Sequence, residues 1–413
     1  MQIYIALKAR RVVIGASVLL AVLLLGLYVQ TQLVQQSREH LYEEEVRNIL
    51  DKVQVEVSQM RGLTAPQDIR LEIVSIDFFR SAAGEGMQED LLLKAQESLF
   101  RGILLVPENF SLLSERVSEA GRTLAATSGR TLYVVKEYFD PSDKRLALRT
   151  LAHEYTHILQ SVYIHQPDID TADALLAWTS FIEGEADLVA DLYTAQATGE
   201  QLLLNIPPPP TTMPENASSG WGLDQVFIFP YTHGENFVYQ LYLKEEWAEV
   251  NKAYQNPPTS SAEILYPDLY LAGFEPSNLS NKKPATEGWS LYHPDRLGEY
   301  YMRVLLLEEL PPTIAVNASL GWVGDNATVY LNHNTYLFFW KIMWRDEVTA
   351  STFEKALLSF FAKKGGVEGN SSYWSFDGRL IALERVSNWI ILIGSSDLQV
   401  LMKEKSEIQE FGS

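Results

Sequence analysis

The sequence predicts an α+β protein: an apolar N-terminal transmembrane helix, a larger mixed domain behind it, and a smaller C-terminal α+β domain. Three observations carry this. Val12–Val29 is an uncharged run with basic residues only on its N-terminal side. From about residue 65, strand-like alternation gives way to long helical patterns, the first of which holds His153-Glu154-Tyr155-Thr156-His157. Beyond Ala315, short β-rich segments alternate with helices. At 413 residues, 46% of them apolar, the chain can fill two or three domains.

At helical rise Val12–Val29 spans about 27 Å, near the thickness of a bilayer's hydrocarbon core. Lys8, Arg10 and Arg11 precede it, and no basic residue follows until Arg38. The positive-inside rule then predicts residues 1–30 as a single-pass cell-membrane anchor, with the N-terminus cytoplasmic and the body extracytoplasmic. A cleaved signal peptide is the rival. The run is long for one, and the stretch Leu25–Thr31 offers no small-x-small cleavage site.

Tyr42, Val46, Ile49, Leu50, Val53, Val57 and Met60 follow helical spacing, which predicts a stalk over residues 31–64 that Gly62 and Pro66 end. The larger domain follows, residues 65–314. Ile69, Leu71 and Ile73 alternate with Arg70 and Glu72 and predict a strand running to Phe79. Helices are expected around Leu91–Phe100 and Leu113–Ala125, and a strand over Thr131–Phe139. Asp140-Pro141-Ser142-Asp143 supplies turn and helix-start residues for a helix from Lys144 to about His165. A second helix is expected over about Ala172–Ala197. Pro207–Pro210 imposes a loop, and a third helix is expected to start near Pro230-Tyr231 and run toward Val250. In the C-terminal domain, residues 315–413, strands are expected at Ala327–Leu331, Tyr336–Met343, Leu380–Val386 and Trp389–Ile393. Helices are expected there at Thr349–Ala362 and Ser396–Lys403.

Composition removes several functions. Lys and Arg total 33 against 53 Asp and Glu, a net charge of −20, which argues against nucleic acid as a partner. With Lys8, Arg10 and Arg11 on the cytoplasmic side, the remainder carries −23 and is expected to stand off anionic lipid headgroups. There is no cysteine, which excludes disulfides, thiolate zinc sites, iron–sulfur clusters and a cysteine nucleophile. Six Asn-x-Ser/Thr sequons, at Asn109, Asn216, Asn278, Asn317, Asn326 and Asn370, could carry glycans outside a membrane. The nine tryptophans, Trp322, Trp340 and Trp344 among them, read as core residues.

The residues with chemistry begin at His153. On a helix, positions i and i+4 share a face, so His153 and His157 can bind one zinc ion. Glu154 projects toward the same space and can take a proton from a zinc-activated water. A catalytic zinc needs a third protein ligand and an open position. Gln160 and Tyr163 stand where a third-histidine pattern would put glycine and histidine, and His165 reads as a helix-end residue. In Glu183-Gly184-Glu185-Ala186-Asp187, Glu183 and Asp187 share a helix face while Glu185 points away. Glu183 is then the candidate third ligand, and Asp187 the carboxylate that orients a liganding histidine. Gly184 in mid-helix costs about 1 kcal/mol relative to alanine, which points to close approach of another helix.

An HExxH motif followed on a second helix by Glu-x-x-x-Asp resembles the gluzincin, or thermolysin-like, zinc metallopeptidases. Pro230-Tyr231-Thr232-His233-Gly234 resembles the helix start of gluzincin aminopeptidases, and implies that Tyr231 stabilises the oxyanion. A wider resemblance, over about residues 130–390, is to a poorly characterised prokaryotic family of secreted or membrane-anchored gluzincin-like proteins. It rests on His153–Gln160, Glu183–Asp187, Pro230–Phe237, Ala248–Tyr270 and Gly321-Trp322-Val323-Gly324-Asp325. Ser161-Val162 and Tyr266 depart from that pattern. The resemblance implies a gluzincin-type catalytic domain: a small sheet, an active-site helix and a helical subdomain. It also makes Thr131–Phe139 the edge strand that binds an extended peptide.

The resulting expectation is a membrane-anchored zinc peptidase with His153, His157 and Glu183 as ligands, Glu154 as general base, Asp187 as orienter and Tyr231 as oxyanion donor. Its partners are a peptide or protein substrate and the membrane. The alternatives are a non-catalytic envelope or interaction protein with the same fold, which the intact Glu154 argues against, and a zinc hydrolase of a non-peptide substrate. Oligomeric state leaves no trace in the sequence.

Overall fold

The computed structural model describes residues 2–86, 91–115, 124–281, 283–332, 335–369 and 373–409. For residues 2–29, 33, 82–86, 91–92, 292–293 and 408–409 it describes the backbone alone. Helix α1 is continuous from Gln2 to Arg61, about 90 Å at helical rise. Its surface is exposed from Gln30 to Leu41, apart from the undescribed side chain of Leu33. Its last turns enter the body, where Val46, Leu50, Val53 and Val57 are buried.

The expected single-pass anchor and extracytoplasmic placement must be corrected. Among the described residues no helix is long and apolar enough to cross a membrane. The described part of α1 carries Arg38, Glu39, Glu43, Glu44, Glu45 and Arg47 within about three turns, a density of charge that hydrocarbon does not accept. The side chains of the Val12–Val29 run lie outside the described residues. The expected stalk is the continuation of the same helix, and its C-terminal half belongs to the core.

That half of α1 packs against a three-stranded sheet in the order β1-β3-β2, formed by β1 (Arg70–Val74), β2 (Ala125–Ser128) and β3 (Thr131–Val135). Strands β1 and β3 are parallel, with Leu71 opposite Leu132, while β2 and β3 form an antiparallel hairpin. The two-residue turn of the hairpin has Gly129 at φ +57. Two expectations change here. The first strand stops at Val74, because Ile76–Gly86 is a helix, α2, whose Phe78 stacks on Tyr133. The supposed edge strand at Thr131 is central, and the edges belong to β1 and β2. Helix α3 spans Leu91–Gly102. The next expected helix reaches Ala125, which opens β2, and residues 116–123 lie outside the described set.

Helix α4, Lys144–Tyr163, starts at Asp143, whose carboxylate accepts from the Leu146 N–H at 3.2 Å. Helix α5, Ala172–Thr198, starts at Thr171 and ends on Gly199 at φ +71. Helix α6 runs from Trp221 to Glu245, so Pro230 sits inside it rather than at its start. Leu223, Val226 and Phe229 are buried on its first turns, and that packing sustains a helix through a proline that costs about 3 kcal/mol in isolation. Glu246, at φ +49, separates α6 from α7, Trp247–Ala253. Short helices α8 (Ser261–Leu265) and α9 (Pro267–Leu271) follow.

The C-terminal sheet has the order β4-β5-β6-β10-β9-β8-β7 and is antiparallel throughout. Its strands are β4 (Ser290–Asp295), β5 (Trp322–Asn332), β6 (Thr335–Trp344), β7 (Val367–Glu368), β8 (Tyr373–Phe376), β9 (Arg379–Val386) and β10 (Trp389–Ser395). Helices α10 (Gly298–Leu307), α11 (Pro312–Ser319), α12 (Glu347–Lys363) and α13 (Leu398–Gln409) complete the described fold. The sheet thus takes its first strand from upstream of residue 315. The Gly321–Asp325 stretch is structural: Asp325 is buried and accepts from the Leu297 and Gly298 N–H groups and from the indoles of Trp322 and Trp340.

Two main cores result. One joins α1, the small sheet and α4; the other joins α3, α6 and the large sheet. Helix α5 contributes to both, with Val189 and Tyr193 in the first and Phe181 and Leu188 in the second. The cleft described next lies along this seam.

Candidate metal centre

Helix α4 presents His153 and His157 one turn apart, and α5 crosses beside them with Glu183. Nε2 of His153 lies 3.1 Å from Nε2 of His157, and Glu183 Oε2 lies 3.3 and 3.4 Å from the two. Among the described residues these three form the one group of His, Cys, Asp or Glu side chains able to share a metal ion. Zinc bonds of about 2.0 Å at tetrahedral angles put neighbouring donors about 3.3 Å apart, so the three atoms match one face of such a polyhedron.

The imidazole tautomers suit that use. His153 Nδ1 is 3.0 Å from Asp187 Oδ1, and His157 Nδ1 is 2.7 Å from Gln160 Oε1. Each Nδ1 therefore donates its proton outward, leaving the Nε2 lone pairs for a cation. Burial by itself would lower the proton affinity of His153, but hydrogen bonds to Asp187 and Glu183 outweigh it and raise the pKa to about 10, so without metal Nε2 holds a proton that a cation must displace. Burial opposes ionisation of Glu183 too, and is overcome by both histidines, which hold it down to about 2.

Asp187 is fixed in turn. Arg149, one turn before His153 on α4, donates to Asp187 at 2.9 Å and to Asp191 at 2.7 Å. Behind Asp191 lies Glu235 of α6, buried and pushed up to about 8 by that burial first and then by the charge of Asp191.

The three donors line a cleft of about 900 Å³ with Glu154, Ala125, Ala126, Thr127, Trp178 and Tyr231. Glu154 is buried, and its carboxylate accepts from the Thr127 hydroxyl of β2 at 2.9 Å. Tyr231 reaches the cleft because α5 and α6 touch through glycines. A Cβ at Gly184 would stand 2.2 Å from the Gly234 carbonyl, and one at Gly234 would stand 2.1 Å from the Ser180 oxygen. This is the close approach that Gly184 implied. The Tyr231 phenol hydrogen-bonds Glu183, and burial, then the charges of Glu183, Asp187 and Glu154, hold it firmly protonated.

His233 turns the other way. Its ring stacks on Phe229 at 4.5 Å and faces Tyr300, and burial followed by the charge of Arg303 lowers it to about 4. His165 lies beyond the end of α4, exposed and apart from the three donors. Glu185 also points away from the donors, into a buried ion pair with Arg61.

A family described as "Domain of unknown function (DUF8575)" matches residues 290–401. No curated protein and no solved structure matches the chain. The matched segment covers the large sheet from β4 into the start of α13 and includes none of the cleft residues.

Several residues around the site escaped the sequence reading. Arg149 and Asp191 stand four positions before His153 and four after Asp187, and that matched helical spacing was a usable signal. Gln160 stands three after His157. Thr127 gave no local signal, since it falls between the helix expected to end at Ala125 and the strand expected from Thr131.

Proposed function

We propose that the chain is a zinc-dependent metallopeptidase of gluzincin type, with the catalytic unit formed by the small sheet and helices α4, α5 and α6. The observation that carries this reading is the convergence of the two Nε2 atoms and the Glu183 carboxylate at 3.1–3.4 Å, with Glu154 beside them in an open cleft. The resemblance of Glu183–Asp187 and Pro230–Gly234 to the gluzincin pattern supports it.

His153, His157 and Glu183 would hold the zinc, which supplies Lewis acidity that makes a water nucleophilic at neutral pH and polarises a carbonyl. Glu154, held by Thr127, accepts the proton of the attacking water and delivers it to the leaving amine. Asp187 holds His153 in the tautomer that leaves Nε2 free. Tyr231 keeps its proton and donates a hydrogen bond to the carbonyl oxygen as negative charge develops there. The free edge of β2, with Ala125–Thr127 in the cleft wall, can pair with an extended peptide.

The test is metal content and hydrolysis of a mixed peptide library by the full chain and by Glu154→Gln. One zinc per chain in both, with hydrolysis in the wild type alone, is expected. Alanine at His153, His157 or Glu183 should release the metal. Equal hydrolysis by Glu154→Gln, or full zinc in Glu183→Ala, would overturn the assignment.

A further inference from the structure

His157 is not oriented by a carboxylate as His153 is. Its Nδ1 faces the Gln160 amide, and an amide can present either an acceptor or a donor. The surroundings decide which. The Gln160 Nε2 group donates to the Ile182 carbonyl at 3.0 Å and to Glu185 Oε2 at 2.8 Å. With both amide hydrogens taken by acceptors, Oε1 is left to face the imidazole, and His157 must carry its proton on Nδ1.

Glu185 can serve as that acceptor because its charge is compensated. Its other oxygen, Oε1, accepts from Arg61 Nε at 2.8 Å, and both side chains of the pair are 2% exposed. Arg61 is the last residue of α1, where a cation suits the helix terminus. It also donates to Asn251 at 3.0 Å and lies over the Trp247 ring at 4.2 Å. The Tyr254 hydroxyl is a further donor to Glu185.

We propose that Gln160, Glu185 and Arg61 form a positioning relay for His157, so that the end of the long N-terminal helix is part of the metal site. The proposal rests on the metal-binding reading above. Gln160 borders the cleft while Glu185 and Arg61 lie behind it, and none of the three would touch zinc. Their effect is to fix which nitrogen of His157 is free. If Glu185 became an amide, Gln160 could turn over, place its NH2 against His157 and move the imidazole proton onto the nitrogen that must bind metal.

The test measures zinc affinity of the full chain by chelator competition for wild type, Gln160→Met, Glu185→Gln and the combination of the two. Each single change should weaken binding by about 10–100-fold. The combination should lose no more than Gln160→Met alone, since Glu185 acts through Gln160. In zinc-loaded protein labelled with 15N-histidine, the exchange-protected Nδ1 proton of His157 should be seen in the wild type and lost in both single variants. A merely structural role would not move that signal.

Glu185→Gln leaves Arg61 buried without its partner and could unfold. Arg61→Met/Glu185→Leu removes both charges together and should fold, yet still bind zinc weakly. Wild-type affinity in Gln160→Met, or losses that multiply in the combination, would overturn the relay. No zinc uptake by the wild type would overturn the relay and the proposed function together. Zinc uptake with a working relay but no peptide hydrolysis would overturn the enzymatic reading alone.

Discussion

The Gly184–Gly234 crossing makes a severe demand on two helices, and Gly184→Ala tests it. The new Cβ would lie 2.2 Å from the carbonyl carbon and oxygen of Gly234. Ordinary contact is about 3.5–4.0 Å, so α6 must withdraw from α5 by more than about 1 Å, and no side-chain rotation can relieve a clash with backbone. Overpacking of this kind costs about 1–3 kcal/mol. The gain from alanine in a helix interior offsets about 1 kcal/mol of it, leaving a net loss of about 2 kcal/mol at the upper end. The functional cost should be larger. Tyr231 lies three residues before Gly234 on the withdrawing helix, whereas His153, His157 and Glu183 lie on α4 and α5, whose contact is untouched. Misplacement by 1 Å can cost about 10²-fold in rate. Gly184→Ala should therefore keep its zinc, shift its urea midpoint down, and lose about 10²-fold in kcat. Wild-type stability and kcat together would refute the crossing as described.

Tyr231→Phe should leave zinc content and KM nearly unchanged while kcat falls by about 10²–10³-fold. His233→Ala serves as the comparison, and loss of kcat in that variant alone would move the donor role to the histidine. Asp187→Ala should weaken zinc affinity by about 10–100-fold in a chelator titration; wild-type affinity would remove it from the site. Glu235 offers a pH test. Its folded-state pKa, about 8, lies above the ordinary value of 4.5, so the folded chain binds the extra proton between those limits. Its stabilising contribution is present below about pH 4.5 and is lost as pH rises through 8. Glu235→Gln should remove that part of the decline, so its melting temperature should gain on the wild type between pH 5 and pH 8. Parallel profiles would show that Glu235 ionises normally.

What could be read from the sequence followed from helical periodicity. His153 and His157, and then Glu183 and Asp187, are i, i+4 pairs on uninterrupted helices, and a helix fixes the relative direction of such residues before any tertiary contact forms. That is why Lys144–Tyr163 and Ala172–Thr198 lie within two residues of expectation. The two-glycine crossing was half legible, since a glycine in mid-helix reports a neighbour but not which one. Pro230 misled, because proline at a helix start and proline tolerated inside a buried helix look alike until the packing of Leu223, Val226 and Phe229 is known.

The sheet edge was illegible for a related reason. Thr131–Val135 has the stronger β composition, and that suits a central strand buried on both sides, while the edge that faces the cleft is the plain Ala125–Ser128. Strand strength and strand position are separate properties. The His157 relay shows the same limit at its widest. Arg61 and Glu185 are 124 positions apart, and nothing local distinguishes either from an ordinary surface charge. Only their burial turns them into a pair, and only the pair leaves Gln160 with a single way to face the histidine.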